Sequence, residues 1–292
     1  MDRTDPPTVV VLGSVNMDLV TTVSRRPAPG ETVLGSGFAT VPGGKGANQA
    51  IAAARSGARV RFLGAIGDDA FGTELLATLS DAGIDTTLVR RVDGPSGIAT
   101  IVVDDTGENS IIVVAGANGR VTDLTTTELA AIADADILLS QLEIPIETVV
   151  AAARHARASG TIVALNPSPV APLPGELWAA VDLAIVNSLE SEQYSAELAQ
   201  VAHVVRTLGA DGAAYLGDNE LSVAGLEVDV IDTTGAGDAF TGALAATWNQ
   251  GAPTALNWAN TAGALATTRL GASSSIPASA QIAAALTTGS HP

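Results

Sequence analysis

The chain contains no cysteine, and in 292 residues it has a single lysine, Lys45. The first absence excludes disulfides, thiolate zinc sites and a cysteine nucleophile. Histidine is nearly as scarce: His155, His203 and His291 stand in unrelated contexts, so a histidine-rich metal site is not expected. Positive charge is also short, with 14 Lys and Arg against 31 Asp and Glu, a formal net charge of −17. Such a surface repels nucleic acid and anionic lipid. It equally repels a nucleoside triphosphate, so any phosphate site needs local positive potential from helix N-termini, metal ions or a few basic residues. No run of eighteen apolar residues occurs, and the start "MDRTDPPTVV" lacks a secretory hydrophobic region. A cytoplasmic enzyme or binding protein is expected, with neither nucleic acid nor membrane as partner.

What is present is an apolar fraction of 47% with only 3% aromatics. Alanine and valine carry much of it, which suits helices and buried strands. The length fits one large α/β domain or two smaller ones. Residues 8–13, "TVVVLG", read as a buried strand, and 18–42 as short strands among Gly and Pro. "GANQAIAAARS" (46–56) reads as a helix of small residues able to pack closely, "RVRFLGAIG" (59–67) as a strand, and 70–83 as a helix. A hairpin is expected over 99–114. Beyond residue 120, strands at 136–143, 161–169, 182–190, 203–209 and 226–235 alternate with helices at 123–133, 145–160, 236–251 and about 253–269.

This rhythm implies a mostly parallel sheet between helix layers, a three-layer α/β/α fold with ligands at the carboxyl ends of the strands. Asn16, Asp18, Glu143, Asn166 and Asn187 fall at those ends. The stretches near 18–42 and 97–115 break the rhythm and are expected to pair into a small β lid. No linker divides the chain, so residues 1–292 are read as one domain carrying that lid.

Two loops carry the chemistry. In "VPGGKGANQA" (41–50), Gly46 follows the lysine where a Walker A loop needs Ser or Thr, and the dinucleotide fingerprint fails at its third glycine. What remains is a helix start with Lys45, Asn48 and Gln49 in its first turn. That suits a polyhydroxy ligand, and it equally suits a helix cap with a solvated lysine. In "IDTTGAGDAF" (231–240), Gly235, Ala236 and Gly237 present free N–H groups at a helix start, an anion hole with the helix dipole behind it. Asp238 sits beside it, either as a cap or as the base that orients an attacking hydroxyl.

Taken together, "PGGKGANQAIAAARSGARVRFLGAIGDDAFG" and "DTTGAGDAFTGAL" resemble the two signatures of the ribokinase-like (PfkB-type) sugar kinase family. Smaller matches at "GSVNMD", "GENSIIVVAGAN", "QLEIP", "ALNPSP" and "TLGADG" extend the resemblance from residue 8 to about 277. The resemblance implies ATP-dependent phosphorylation of the 5-hydroxyl of D-ribose, with 2-deoxyribose, fructose or a nucleoside as alternatives and a silent sugar-binding regulator as the reading outside catalysis. It implies that Asn16, Asp18, Gly44, Lys45, Gly46, Ala47, Asn48 and Glu143 form the sugar pocket, and that Asp238 is the base beside the hole of Gly235, Ala236 and Gly237. Asn187, Glu190, Thr207, Leu208, Gly209, Ala210, Asp211, Gly212 and Asn260 would lie along ATP and its Mg2+. Asp232, Thr234, Ala266, Arg269, Gly271 and Ser275 match an activating K+ site. The family also implies a homodimer through the lid. Phe38 is the lid's only aromatic residue, which favours a small free sugar over a nucleoside. One departure stands out: the segment after "NSLESEQ" is shorter than in the family.

Overall fold

The structure, a computed structural model, describes residues 5–217 and 219–288. His291 lies outside them. In chain order the first half is β1 (Thr8–Leu12), β2 (Asn16–Val23), β3 (Gly35–Gly43), α1 (Lys45–Arg55), β4 (Arg59–Gly67), α2 (Ala70–Asp81), β5 (Val89–Val92), β6 (Gly97–Val103) and β7 (Asn109–Val114). It continues with α3 (Thr126–Ala133), β8 (Ile137–Ser140), α4 (Ile146–Ser159), β9 (Ile162–Leu165), α5 (Gly175–Trp178), β10 (Leu183–Val186), α6 (Ser188–Gln193) and α7 (Ser195–Leu198). The last part is β11 (His203–Thr207), β12 (Ala213–Leu216), β13 (Leu221–Val223), α8 (Ala236–Thr247), α9 (Ala252–Ala266) and α10 (Ser279–Thr288).

Nine strands form the main sheet in the order β13-β12-β11-β10-β9-β8-β1-β4-β5, all in one direction except β12, which pairs antiparallel with both β11 and the edge strand β13. Alternate residues of one strand feed opposite cores. Val9 and Val11 pack with α1, α8 and α9, whereas Val10 and Leu12 pack with α3, α4 and α5. A strand buried on both faces reads as an unbroken apolar run, which is what "TVVVL" is. The three-layer architecture follows from this two-sided burial.

The lid is a separate sheet, β3-β2-β6-β7, in which β2 runs parallel to β6 and the outer pairs are antiparallel. Every residue of β7 is exposed. The two β-rich stretches therefore pair as expected.

One expected strand is absent. Residues 226–235 alternate like a strand, yet they pair with no strand; instead the N–H groups of Ile231 and Asp232 both donate to the Thr267 carbonyl, just past the end of α9. The sheet's edge is supplied by the short pair β12 and β13, which the sequence reading passed over, as it did β5 and α10. "NSLESEQ" itself forms α6, and the shortened segment after it holds the single-turn helix α7.

Candidate active site

The carboxyl ends of β9, β10 and β11 open onto one cleft, which the N-termini of α1 and α8 also line. Gly44 begins α1 at φ +92°, where a Cβ would stand 2.8 Å from the backbone nitrogen of Asn16. A Cβ on Gly46 would meet Ser14 backbone atoms at 2.6 Å. The glycines of "GGKG" thus let the first turn of α1 lie directly on residues 13–16. That turn is capped from afar: Glu143 Oε2 accepts from the Lys45 N–H (3.1 Å) and from Ser14 Oγ (2.5 Å), and Ala47 N–H donates to the Ser14 carbonyl at 2.9 Å. Ser14 is a site residue that the reading of the sequence did not single out.

Asn16 is buried at the start of β2, its Oδ1 accepting from Asn118 Nδ2 at 2.7 Å. Asn118 also exchanges hydrogen bonds with both backbone groups of Val15, so the Asn16 amide has one orientation. Two residues on, Asp18 lies against Gly43. Burial, and then the charges of Glu143 and Asp238, push its carboxyl up to about 7. Lys45 faces the same acids. Its burial favours the neutral amine, but Asp238, Glu143 and Glu190 together outweigh that and hold the ammonium above its ordinary range. The lysine is neither a solvated cap nor confined to the Asn16 side. It lines a cleft of about 130 Å³ with Asn166, Asn187, Glu190, Thr207, Gly235, Gly237 and Asp238.

Asp238 stands in the first turn of α8, 8% exposed. Its Oδ2 accepts from Asn48 Nδ2 (3.0 Å) and its Oδ1 from Gln49 Nε2 (2.9 Å). The Oδ1 of Asn48 is buried with no partner among the described residues. Gly235 precedes the helix at φ +77°; the Ala236 N–H, expected to be free, instead donates to the Thr233 carbonyl at 3.2 Å, whereas the Gly237 and Asp238 N–H groups have no carbonyl within the helix to reach. Asp238 is therefore a carboxylate braced by two amides next to a natural anion site.

A second cavity, about 390 Å³, adjoins the first and shares Thr207 and Gly237 with it. Gly209, Ala210, Gly212 and Asn260 line it, joined by Leu226, Val228, Val230, Phe240 and Gly263. Leu226 to Val230 escaped notice because their alternation looked like a buried strand. Leu208 and Asp211 line neither cavity. Leu208 N–H donates to the Gly212 carbonyl and Asp211 N–H to the Leu208 carbonyl, closing the turn between β11 and β12. Asn187 and Glu190 form a capping box at the start of α6, with bonds of 2.8 and 2.9 Å, and both also face the first cleft.

Of the residues of the expected cation site, Asp232, Thr234 and Gly271 are tied together. Asp232 Oδ1 accepts from the Thr234 N–H and Oδ2 from the Gly271 N–H, each at 2.9 Å. Burial opposes its charge, but these hydrogen bonds prevail and hold the carboxyl below its ordinary range. Ala266 closes α9, and Ser275 is buried with its Oγ donating to the Ala272 carbonyl. Arg269 is exposed and lies near enough to Arg55 to disfavour that guanidinium's charge. An ionised carboxylate with loop carbonyls is a hard, oxygen-only set that fits K+.

A braced carboxylate at a helix N-terminus, between a small polar cleft and a larger, more apolar one, on a parallel α/β sheet with a β lid, defines a carbohydrate kinase. The chain belongs to the pfkB family of carbohydrate kinases, whose description matches residues 7–279. It is 40% identical over 281 residues to a ribokinase of Bacillus subtilis (strain 168), covering 92% of this chain and 96% of that protein. Among solved structures, a ribokinase of Thermotoga maritima superposes with a TM-score of 0.89 at 33% identity, over 96% of this chain and 99% of that one. An Arabidopsis thaliana ribokinase complexed with ribose and ATP gives 0.89 at 32% identity, over 97% and 99%.

Proposed function

We propose that this chain transfers the γ-phosphoryl group of ATP to O5 of D-ribose, giving D-ribose 5-phosphate and ADP. The observation that carries the reading is Asp238, braced by Asn48 and Gln49 where the two cavities meet. Ribose would lie between β2 and α1, with Asn16, Asp18, Gly44, Gly46, Ala47, Asn48 and Glu143 around its hydroxyls. ATP would run from Asn260 through residues 207–212 to the first cleft. Asp238 would orient the 5-hydroxyl and take its proton as the O5–Pγ bond forms and the bond from Pγ to the β,γ-bridging oxygen breaks. The N–H groups of Gly235 and Gly237 and the Lys45 ammonium would meet the charge on the transferring group.

Mg2+ would neutralise the β- and γ-phosphates, held mainly by those phosphates near Asn187 and Glu190. K+ would sit at Asp232, Thr234, Ala266, Arg269, Gly271 and Ser275, mostly through carbonyls, beside the anion hole. We read residues 1–292 as one ribokinase-like domain. The lid would close over the sugar and exclude water, and would pair with a second copy. The test is ADP release from Mg–ATP with ribose, 2-deoxyribose, fructose and adenosine, each with and without K+. Ribose turnover that rises with K+ supports the reading. Turnover on adenosine or fructose alone overturns the pocket, and silence on all four overturns catalysis.

A further inference from the structure

We infer that Gln49 is a positioning residue for Asp238, and that its polarity is dictated by a directional chain of three amides, two of them fully buried, rooted in the central sheet. This rests on the reading of Asp238 as the base. Gln49 is fully buried on α1, as is Gln141 past the end of β8. Asn166 follows β9.

The chain begins at the Ile185 carbonyl in β10, which can only accept. Asn166 Nδ2 donates to it at 2.9 Å, so Asn166 Oδ1 must point the other way. Gln49 Nε2 donates to that oxygen at 3.0 Å, and its second hydrogen goes to Asp238 Oδ1 at 2.9 Å. Gln49 Oε1 accepts from Gln141 Nε2 at 2.6 Å. Every hydrogen-bonding group of the Gln49 amide that this geometry engages is thus assigned a sense. A flipped amide would put its oxygen against two acceptors and its nitrogen against a donor, in a buried site where unmatched groups are costly.

The consequence lies in Asp238. A carboxylate that accepts a fixed donor is held in one rotamer. Asn48 braces Oδ2 in the same way, and a lone pair on Oδ2 or Oδ1 is left to be aimed at an incoming hydroxyl. The charged groups facing Asp238 are the Lys45 ammonium on α1 and the Asp18 carboxyl on β2, with Glu143 and Glu190 acting on the same lysine. Gln49 is, with Asn48, a neutral member of this cluster, and its effect is on where the base points, not on substrate affinity.

The experiment is full steady-state kinetics of Gln49→Met, with Asp238→Asn alongside. Met keeps the volume and removes the donor. We expect kcat to fall at least about tenfold, the scale of one charge-assisted hydrogen bond. KM for ribose and ATP should stay within about twofold, so that the loss falls on kcat. If Gln49→Met does not fold, as judged by its melting curve, Gln141→Met is read instead. It leaves the donor in place but frees the Gln49 oxygen, and the same changes are expected at smaller size. A folded variant with unchanged kcat overturns the inference, and so does one that loses kcat/KM through raised KM values alone. Substantial turnover in Asp238→Asn overturns the underlying reading, and with it this one. An inactive Asp238→Asn beside an unaffected Gln49→Met overturns this inference alone.

Discussion

Gly242 of α8 lies so close to α1 that a Cβ on it would stand 2.2 Å from the Gln49 carbonyl oxygen and 2.6 Å from the Ala52 methyl group. This contact sets the distance between the two helices whose first turns bear Asn48, Gln49 and Asp238. Gly242→Ala should push α8 outward, costing about 1–3 kcal/mol through overpacking. It should also lower kcat by tenfold or more, because a base displaced by about 1 Å is poorly aimed. Thermal melting and turnover measured on the same preparation check both. Full activity at parental stability would mean that the helix spacing is not set here.

Asp238→Asn keeps the shape of the side chain and removes its basicity. The amide can still fit between Asn48 and Gln49 only by turning one like-signed group toward another. Turnover should fall by about 10³-fold, within the range for losing a positioned base. ATP affinity, measured calorimetrically, should remain near the parental value, because the second cavity is lined by other residues apart from its border at Gly237.

Much of this site was legible in the sequence, for reasons that differ between residues. Asp238 and the glycines before it were visible because a small-residue turn into a helix has a local signature. The strands β1, β4 and β8 were visible because burial on both faces leaves apolar runs. Gln49 was visible only as part of a helix start, not as a partner of Asp238. It follows Asn48 by one residue, about 100° around the helix, and only the crossing of α8 brings both amides onto one carboxylate. Ser14 and Asn118 act on Glu143 and Asn16 across more than 100 positions of sequence, which no local pattern encodes. The segment 226–235 misled because alternation reports a half-buried extended chain, not the presence of a neighbouring strand.

The lid offers its own test. Ile111, Ile112, Val113 and Val114 are each at least half exposed on the edge strand β7, and Phe38 and Leu34 are more so. An edge strand this apolar needs a cover. A dimer through the lid is expected in sedimentation analysis, and Ile112→Glu should shift it to monomer. A parental chain that sediments as a monomer would refute the pairing.

Cation activation should depend on Asp232, which ties residues 232–234 to the loop at Gly271. Asp232→Ala removes the ionised ligand and both tethers. The variant should lose most of the rise in turnover that K+ gives the parent, with its remaining activity the same in KCl and NaCl. A potassium response that survives the substitution would place the ion elsewhere.

The carboxyl of Asp18 makes a prediction whose sign can be worked out. Its pKa in the folded chain is about 7, against an ordinary 3.8, with burial as the first cause. Between those values the folded chain binds a proton that the unfolded chain does not. Stability from this group therefore falls as pH rises from about 4 through about 7 and stays low above it. Asp18→Asn should remove that part of the slope in melting temperature between pH 5 and 8. Ribose hydroxyls donating to Asp18 would favour the charged form, so sugar binding should release a proton near pH 7. Affinity should then weaken by up to about tenfold for each unit below that pH. Titration calorimetry at pH 6.5 in two buffers of different ionisation enthalpy measures the proton directly. Proton release in the parent and none in Asp18→Asn assigns the carboxylate to the sugar. No release in the parent would mean that ribose does not bind to an ionised Asp18, and that the acid acts there, if at all, as a protonated donor.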